Sequence, residues 1–154
     1  MHMNSSSLIE SKFNKAVNLH AQGKNKEALK VLKQLTKETK GHPVIIHLRG
    51  FVEAALGLNT QAIRSLEASA SAFPDDLKTL VAMAGVHQRV GDLELAAEIL
   101  ERAFAKDKDD PDVLENMGNV YFALGKYSKS IDAYYAALQI DPDRYHIALA
   151  LAGD

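Results

Sequence analysis

The chain has 154 residues, 47% hydrophobic and 25% charged, a balance that excludes a disordered polymer; its net charge of −2 removes any overall attraction to nucleic acid or an anionic membrane. It has no cysteine, which excludes disulfides, thiolate nucleophiles and sulfur-ligated zinc and fits a reducing compartment. No apolar run approaches the roughly 20 residues of a bilayer span, so membrane insertion is not expected and a cytoplasmic location is.

Residues 1–8 lack the basic start and apolar run of a secretory signal, and are read as a flexible leader or expression scar. Beyond them, Gly23, Gly57, Gly91 and Gly125 recur at intervals of 34 residues, the mark of a repeat array. With each glycine at position 15, the repeats run 9–42, 43–76, 77–110 and 111–144. Position 8 then holds Ala16, Gly50, Ala84 and Gly118, and position 20 holds Ala28, Ala62, Ala96 and Ser130. Position 24 holds Leu32, Leu66, Leu100 and Tyr134. Positions 4, 7, 8 and 11 form one stripe of a first helix, and positions 20, 24, 27 and 28 one stripe of a second. Only small side chains at 8 and 20 let two antiparallel helices cross closely, and the large residue at 24 fills the space beside them. The glycine ends the first helix in a left-handed conformation. Pro74 and Pro142 are expected to stop a second helix, and Pro43 and Pro111 to open a first.

Each repeat departs from this frame in its own way. Repeat 1 carries Lys12 and Lys15 at positions 4 and 7, as a terminal unit with one uncovered face can. From Glu10 to His42 eight lysines stand against three glutamates, and Lys26, Lys30, Lys33 and Lys37 share one helical stripe, a solvated face or a surface for an acidic partner. Repeat 2 places Arg49 and Glu53 at positions 7 and 11, four apart, where they can pair, and the junction of the first two repeats is where the geometry is expected to drift. In repeat 3, His87 takes position 11 as a core or half-core residue. Residues 145–154 continue the register, with Ala148, Leu151 and Ala152 at positions 4, 7 and 8, as a C-terminal helix or the start of a fifth repeat. Their apolar character suggests docking onto something, a second copy included.

The fourth unit, Pro111-Asp112-Val113-Leu114-Glu115-Asn116-Met117-Gly118-Asn119-Val120-Tyr121-Phe122-Ala123-Leu124-Gly125-Lys126-Tyr127, followed by Tyr134, Ala137, Asp141 and Pro142, resembles the tetratricopeptide repeat. The same register covers about residues 9–144. The resemblance implies an all-α fold, a right-handed superhelical solenoid of four helix-turn-helix repeats plus a C-terminal helix. It also implies that positions 2, 5, 9, 12 and 13 face a concave groove. These are Glu10, Phe13, Val17, His20 and Ala21; Val44, His47, Phe51, Ala54 and Ala55; Lys78, Val81, Gly85, Gln88 and Arg89; and Asp112, Glu115, Asn119, Phe122 and Ala123. The family's carboxylate clamp needs Lys or Arg at position 5 and Asn at position 9, but position 5 offers Phe13, His47, Val81 and Glu115. A ladder of position-9 asparagines is missing too, since only Asn119 is present.

What the groove offers is an apolar wall for an amphipathic helix or peptide of another protein, with Phe13, Phe51, Val81 and Phe122 as anchors and Val17 beside them. His20, His47, Gln88, Arg89, Glu115 and Asn119 supply polar selectivity. No catalytic, cofactor or metal residue is expected. Gly118–Lys126 has the wrong glycine spacing for a P-loop and is read as helix. Asp107–Asp112 lacks the sixth-position glycine of a calcium loop and is read as an acidic turn favouring the next helix start. The histidines form no zinc pair, and no nucleophile elbow occurs. The alternative function is the N-terminal repeat region of a larger methyltransferase, sulfotransferase or glycosyltransferase, positioning its protein substrate.

Overall fold

The computed structural model describes residues 4–151, and in these every regular element is an α-helix. The chain divides into two compact units between Pro74 and Asp75, each containing two of the expected hairpins. None of the described helices is long and apolar enough to cross a membrane.

Unit 1 contains α1 (Ser5–Ala21), α2 (Asn25–Glu38), α3 (Pro43–Ala55) and α4 (Asn59–Ser69). Helix α1 begins within the segment read as a leader, because Asn4 accepts a hydrogen bond from the Ser7 N–H (2.7 Å) and so caps it; Met1–Met3 lie outside the described residues. The core packs Ala16, Ala28, Leu29, Leu32, Leu35, Ile45 and Val52 together. Leu32, Leu35 and Leu66 are fully buried, each contributing roughly 1.5–3 kcal/mol of transfer free energy.

Pro74 does not end α4. The helix stops at Ser69, five residues earlier, and has 11 residues where α2 has 14. Ser69 is fully buried and its hydroxyl donates to the Leu66 carbonyl (3.1 Å), competing with the helical pattern just where the register offers Leu35 or Ala103 instead. The released segment turns, and Phe73 stacks on His47 of α3 (centroids 4.0 Å apart, planes at 10°). The boundary between the two units falls after Pro74, and Arg49 and Glu53 lie inside unit 1.

Unit 2 contains α5 (Leu77–Arg89), α6 (Leu93–Lys106), α7 (Pro111–Ala123), α8 (Tyr127–Ile140) and α9 (Tyr145–Leu151). Its main core gathers residues from α5 to α8, including Leu80, Ala84, Leu100, Val113, Met117 and Tyr121. A second cluster joins Leu114, Ala137 and Ile147. Asp76 and Asp110 cap α5 and α7, so the acidic turn before Pro111 does favour the next helix start. In α9 the buried residue is Ile147, while Ala148 is exposed. Position 3 carries the burial there, as it does at Ile45, Thr79 and Val113. Ala152 lies outside the described residues.

The four turns repeat one geometry. Gly23, Gly57, Gly91 and Gly125 have φ between +76° and +91°, and the following N–H reaches the position-11 carbonyl: Lys24 to Leu19, Leu58 to Glu53, Asp92 to His87 and Lys126 to Tyr121, at 2.8–2.9 Å. The expected crossing is equally plain. A Cβ on Gly118 would lie 2.4 Å from the Tyr134 ring, and one on Gly50 2.8 Å from the Leu66 side chain. The Ser130 hydroxyl donates to the Gly118 carbonyl (2.7 Å) across the same contact.

Candidate partner-binding site

In unit 1 the groove positions divide between packing and opening. Phe13 is half-buried against the core, whereas Val17 is exposed. His20 donates through Nδ1 to the Asn25 side-chain oxygen (2.7 Å), tying the end of α1 to the start of α2. His47 stands edge-on to Phe51 (4.8 Å) as well as stacked on Phe73, so these three rings form one half-buried cluster. A cleft of about 350 Å³ opens beside α1 and the start of α3. Phe13, Ile9, Val44 and Ile45 supply its apolar lining, and Ser6, Glu10, Thr39 and His42 its polar rim. Val44 is 40% exposed at this cleft. At this cleft α3 is capped by His42, whose Nδ1 accepts from the Val44 N–H (3.2 Å), and both residues line the opening.

Also in unit 1, Arg49 and Glu53 form the pair expected from their spacing, Nε to Oε2 at 3.5 Å, with Glu53 only 1% exposed. The distance is an ion pair without a made hydrogen bond at Nε; Arg49 Nη1 instead reaches Thr36 Oγ1 (3.4 Å) and the Ser65 hydroxyl donates to Glu53. Lys12, the other charged departure, pairs with Glu38 of α2 (3.1 Å).

In unit 2, Val81 packs against the core, Gln88 is half-buried and Arg89 is exposed. Glu115 and Asn119, at groove positions of α7, are already occupied from within the chain. Arg144 binds Glu115 (2.7 Å), Asp112 (2.6 Å) and Asp141 (3.0 Å), and His146 adds a contact to the second Glu115 oxygen. Hydrogen bonding to Asp112 foremost raises the Arg144 pKa above its usual value. Asn119 accepts from the Tyr134 hydroxyl, whose pKa is raised by burial first and by the Glu115 charge second. Phe122 is 60% exposed, edge-on to Tyr127 (5.4 Å), and lines a smaller cavity of about 170 Å³ with Ile131 and Leu151. Tyr145 and Leu149 are exposed on α9.

Phe13 lines the open cleft of unit 1, Phe122 a separate cavity of unit 2, and His47 with Phe51, and Glu115 with Asn119, are engaged internally. Sequence reasoning missed Ile9, Ile45, Phe73 and Arg144. Phe73 and Arg144 lie in inter-repeat segments that a helix-stripe pattern does not cover. Among the described residues no group of three or more His, Asp or Glu is placed to hold a metal ion.

Antiparallel hairpins crossing at small residues, closed by left-handed glycines and repeating every 34 residues, define a helical-repeat protein of the interaction-scaffold class. The chain belongs to the tetratricopeptide repeat family, whose patterns match residues 54–115 and 111–144. Among solved structures it is similar to YrrB, described as a TPR protein with an unusual peptide-binding site (TM-score 0.82, 17% identity, 96% of this chain and 76% of that one). It is also similar to MamA residues 41–end from Desulfovibrio magneticus RS-1 (TM-score 0.80, 16% identity, 88% and 77%). A third is TTC0263, a thermophilic TPR protein of Thermus thermophilus (TM-score 0.73, 21% identity, 87% and 75%). No protein of curated function matches the chain at the level of sequence.

Proposed function

We propose that this protein is a non-catalytic interaction module that binds an apolar or amphipathic segment of another protein in the cleft of unit 1. The observation that carries this is the opening of about 350 Å³ lined by Ile9, Phe13, Val44 and Ile45, with polar groups confined to its rim. A cleft of this size and lining takes one or two large apolar side chains, and its rim orients the segment that carries them. Family membership and the fold shared with YrrB, whose description names a peptide-binding site, support the same role.

Selecting amphipathic peptides from a random library against the intact chain tests this reading. Val44→Asp places a charge on an exposed position of the cleft and leaves the core untouched. It is expected to weaken the selected peptides by roughly tenfold or more, about 1.4 kcal/mol. Phe122→Asp, in the other unit, is expected to leave them unchanged. Peptides that bind Val44→Asp as well as the parent would place the site elsewhere.

A further inference from the structure

The two units carry opposite charge. Residues 1–74 have ten Lys and Arg against five Asp and Glu, a net +5; residues 75–154 have eight against fifteen, a net −7. The overall −2 conceals this division.

On each side the charge is concentrated on the outer face of one second helix, at the same repeat positions. Positions 18, 22 and 25 are Lys26, Lys30 and Lys33 on α2, and Glu94, Glu98 and Glu101 on α6. Position 29 adds Lys37 to the first stripe. All seven residues are exposed. The four lysines, Glu94 and Glu98 enter no ion pair among the described residues, and Glu101 accepts only the Tyr121 hydroxyl (3.0 Å). The neighbouring charges that would neutralise each stripe are partly spent: Glu38 is held by Lys12, and Arg102 and Lys106 both reach Asp75. Like charges at i, i+3 and i+4 repel one another along each helix, so each stripe is mildly unfavourable until an opposite one faces it.

Spacings of four and three residues are shared by the two stripes, so laid side by side they set ammonium groups against carboxylates over about 10 Å, seven residues of helix. We propose that the lysine stripe of α2 is an interface for the glutamate stripe of α6 in a second copy of this chain. The contact is heterologous, since two different faces meet, and each copy brings one of each. It is distinct from the cleft beside Phe13 and Val44, and peptide binding there does not depend on it.

Sedimentation velocity of the intact chain tests the proposal. The parent is expected to associate at low ionic strength, with its dissociation constant rising roughly tenfold or more between about 0.02 M and 0.5 M salt. The fourfold variant Lys26→Glu, Lys30→Glu, Lys33→Glu, Lys37→Glu is expected to be monomeric alone, as is Glu94→Lys, Glu98→Lys. Mixed, the two variants are expected to form a complex, because each now offers the stripe that the other lacks. Circular dichroism matching the parent shows that both have folded. Three results would overturn the proposal: a parent that stays monomeric at low salt, association that survives either reversal, and reversed variants that fail to recognise each other. So would a monomeric parent whose lysine stripe binds phosphatidylserine vesicles or duplex DNA instead.

Discussion

The second hairpin of each unit solves the same packing problem with opposite chemistry. Positions 7, 11 and 23 hold Arg49, Glu53 and Ser65 in unit 1, and Met117, Tyr121 and Ala133 in unit 2. In one a buried carboxylate is satisfied by a guanidinium and a hydroxyl; in the other an aromatic ring and a thioether fill the same layer and only the Tyr121 hydroxyl needs a partner, Glu101. Both hairpins keep the small residue at position 8 pressed against position 24, Gly50 on Leu66 and Gly118 on Tyr134. The crossing defines the hairpin, and the layer beyond it tolerates polar groups provided they answer one another.

Orphaning the buried charge should have the largest effect. Arg49→Met leaves Glu53 buried without its cation and is expected to destabilise unit 1 by about 2–4 kcal/mol, somewhat below a fully enclosed pair because Arg49 is 25% exposed. Urea denaturation measures this, and a loss under about 0.5 kcal/mol would mean that the pair is idle. Next in size is Gly118→Ala, expected to cost about 1–3 kcal/mol by forcing the Tyr134 ring aside. Adding Tyr134→Leu should recover most of it, since Ala84 with Leu100 already works in repeat 3; no recovery would locate the strain elsewhere. Smaller still, Arg49→Met, Glu53→Tyr and Ser65→Ala together copy the layer of unit 2 and should be neutral or stabilising by up to about 2 kcal/mol, where the single Arg49→Met is harmful.

A further effect is one of pH. Burial, and then the bond to Glu101 and its charge, push the Tyr121 hydroxyl from 10.0 up to about 12. The folded chain therefore keeps a proton that the unfolded chain loses. That contribution to stability is fully present below pH 10 and declines as pH rises from 10 to about 12. Tyr121→Phe should flatten this decline in alkaline denaturation curves while barely changing stability at neutral pH. A variant with an equally steep decline would assign the titration to another tyrosine.

Which parts of this could be seen in the sequence follows from how local their causes are. Positions 8, 20 and 24 and the turn glycines stood out because close helix crossing and left-handed backbone each restrict a position in every repeat. The Arg49–Glu53 pair was legible because i and i+4 are neighbours on any helix. Positions 3 and 10, buried at Val113 and Ile147 and at Val52, Val86 and Val120, fell outside the stripe chosen for the first helix. The early end of α4 depends on one buried serine bonding its own backbone, which a proline at position 32 conceals. Whether a groove position is open depends on partners that arrive from other elements. Arg144 reaches back 29 residues to Glu115, and Phe73 leaves its helix to cover His47, so a residue's repeat position did not reveal whether it was open.

In the proposed function, unit 1 receives a partner in the cleft beside Phe13 and Val44. A photo-crosslinking amino acid placed at Val44, and separately at the exposed Gln139 of unit 2, tests it most directly in the presence of a selected peptide. Crosslinking from Val44, competed by unlabelled peptide and absent from Gln139, is the predicted result. Equal crosslinking from the two positions, or none from Val44 while the peptide stays bound, would contradict the account.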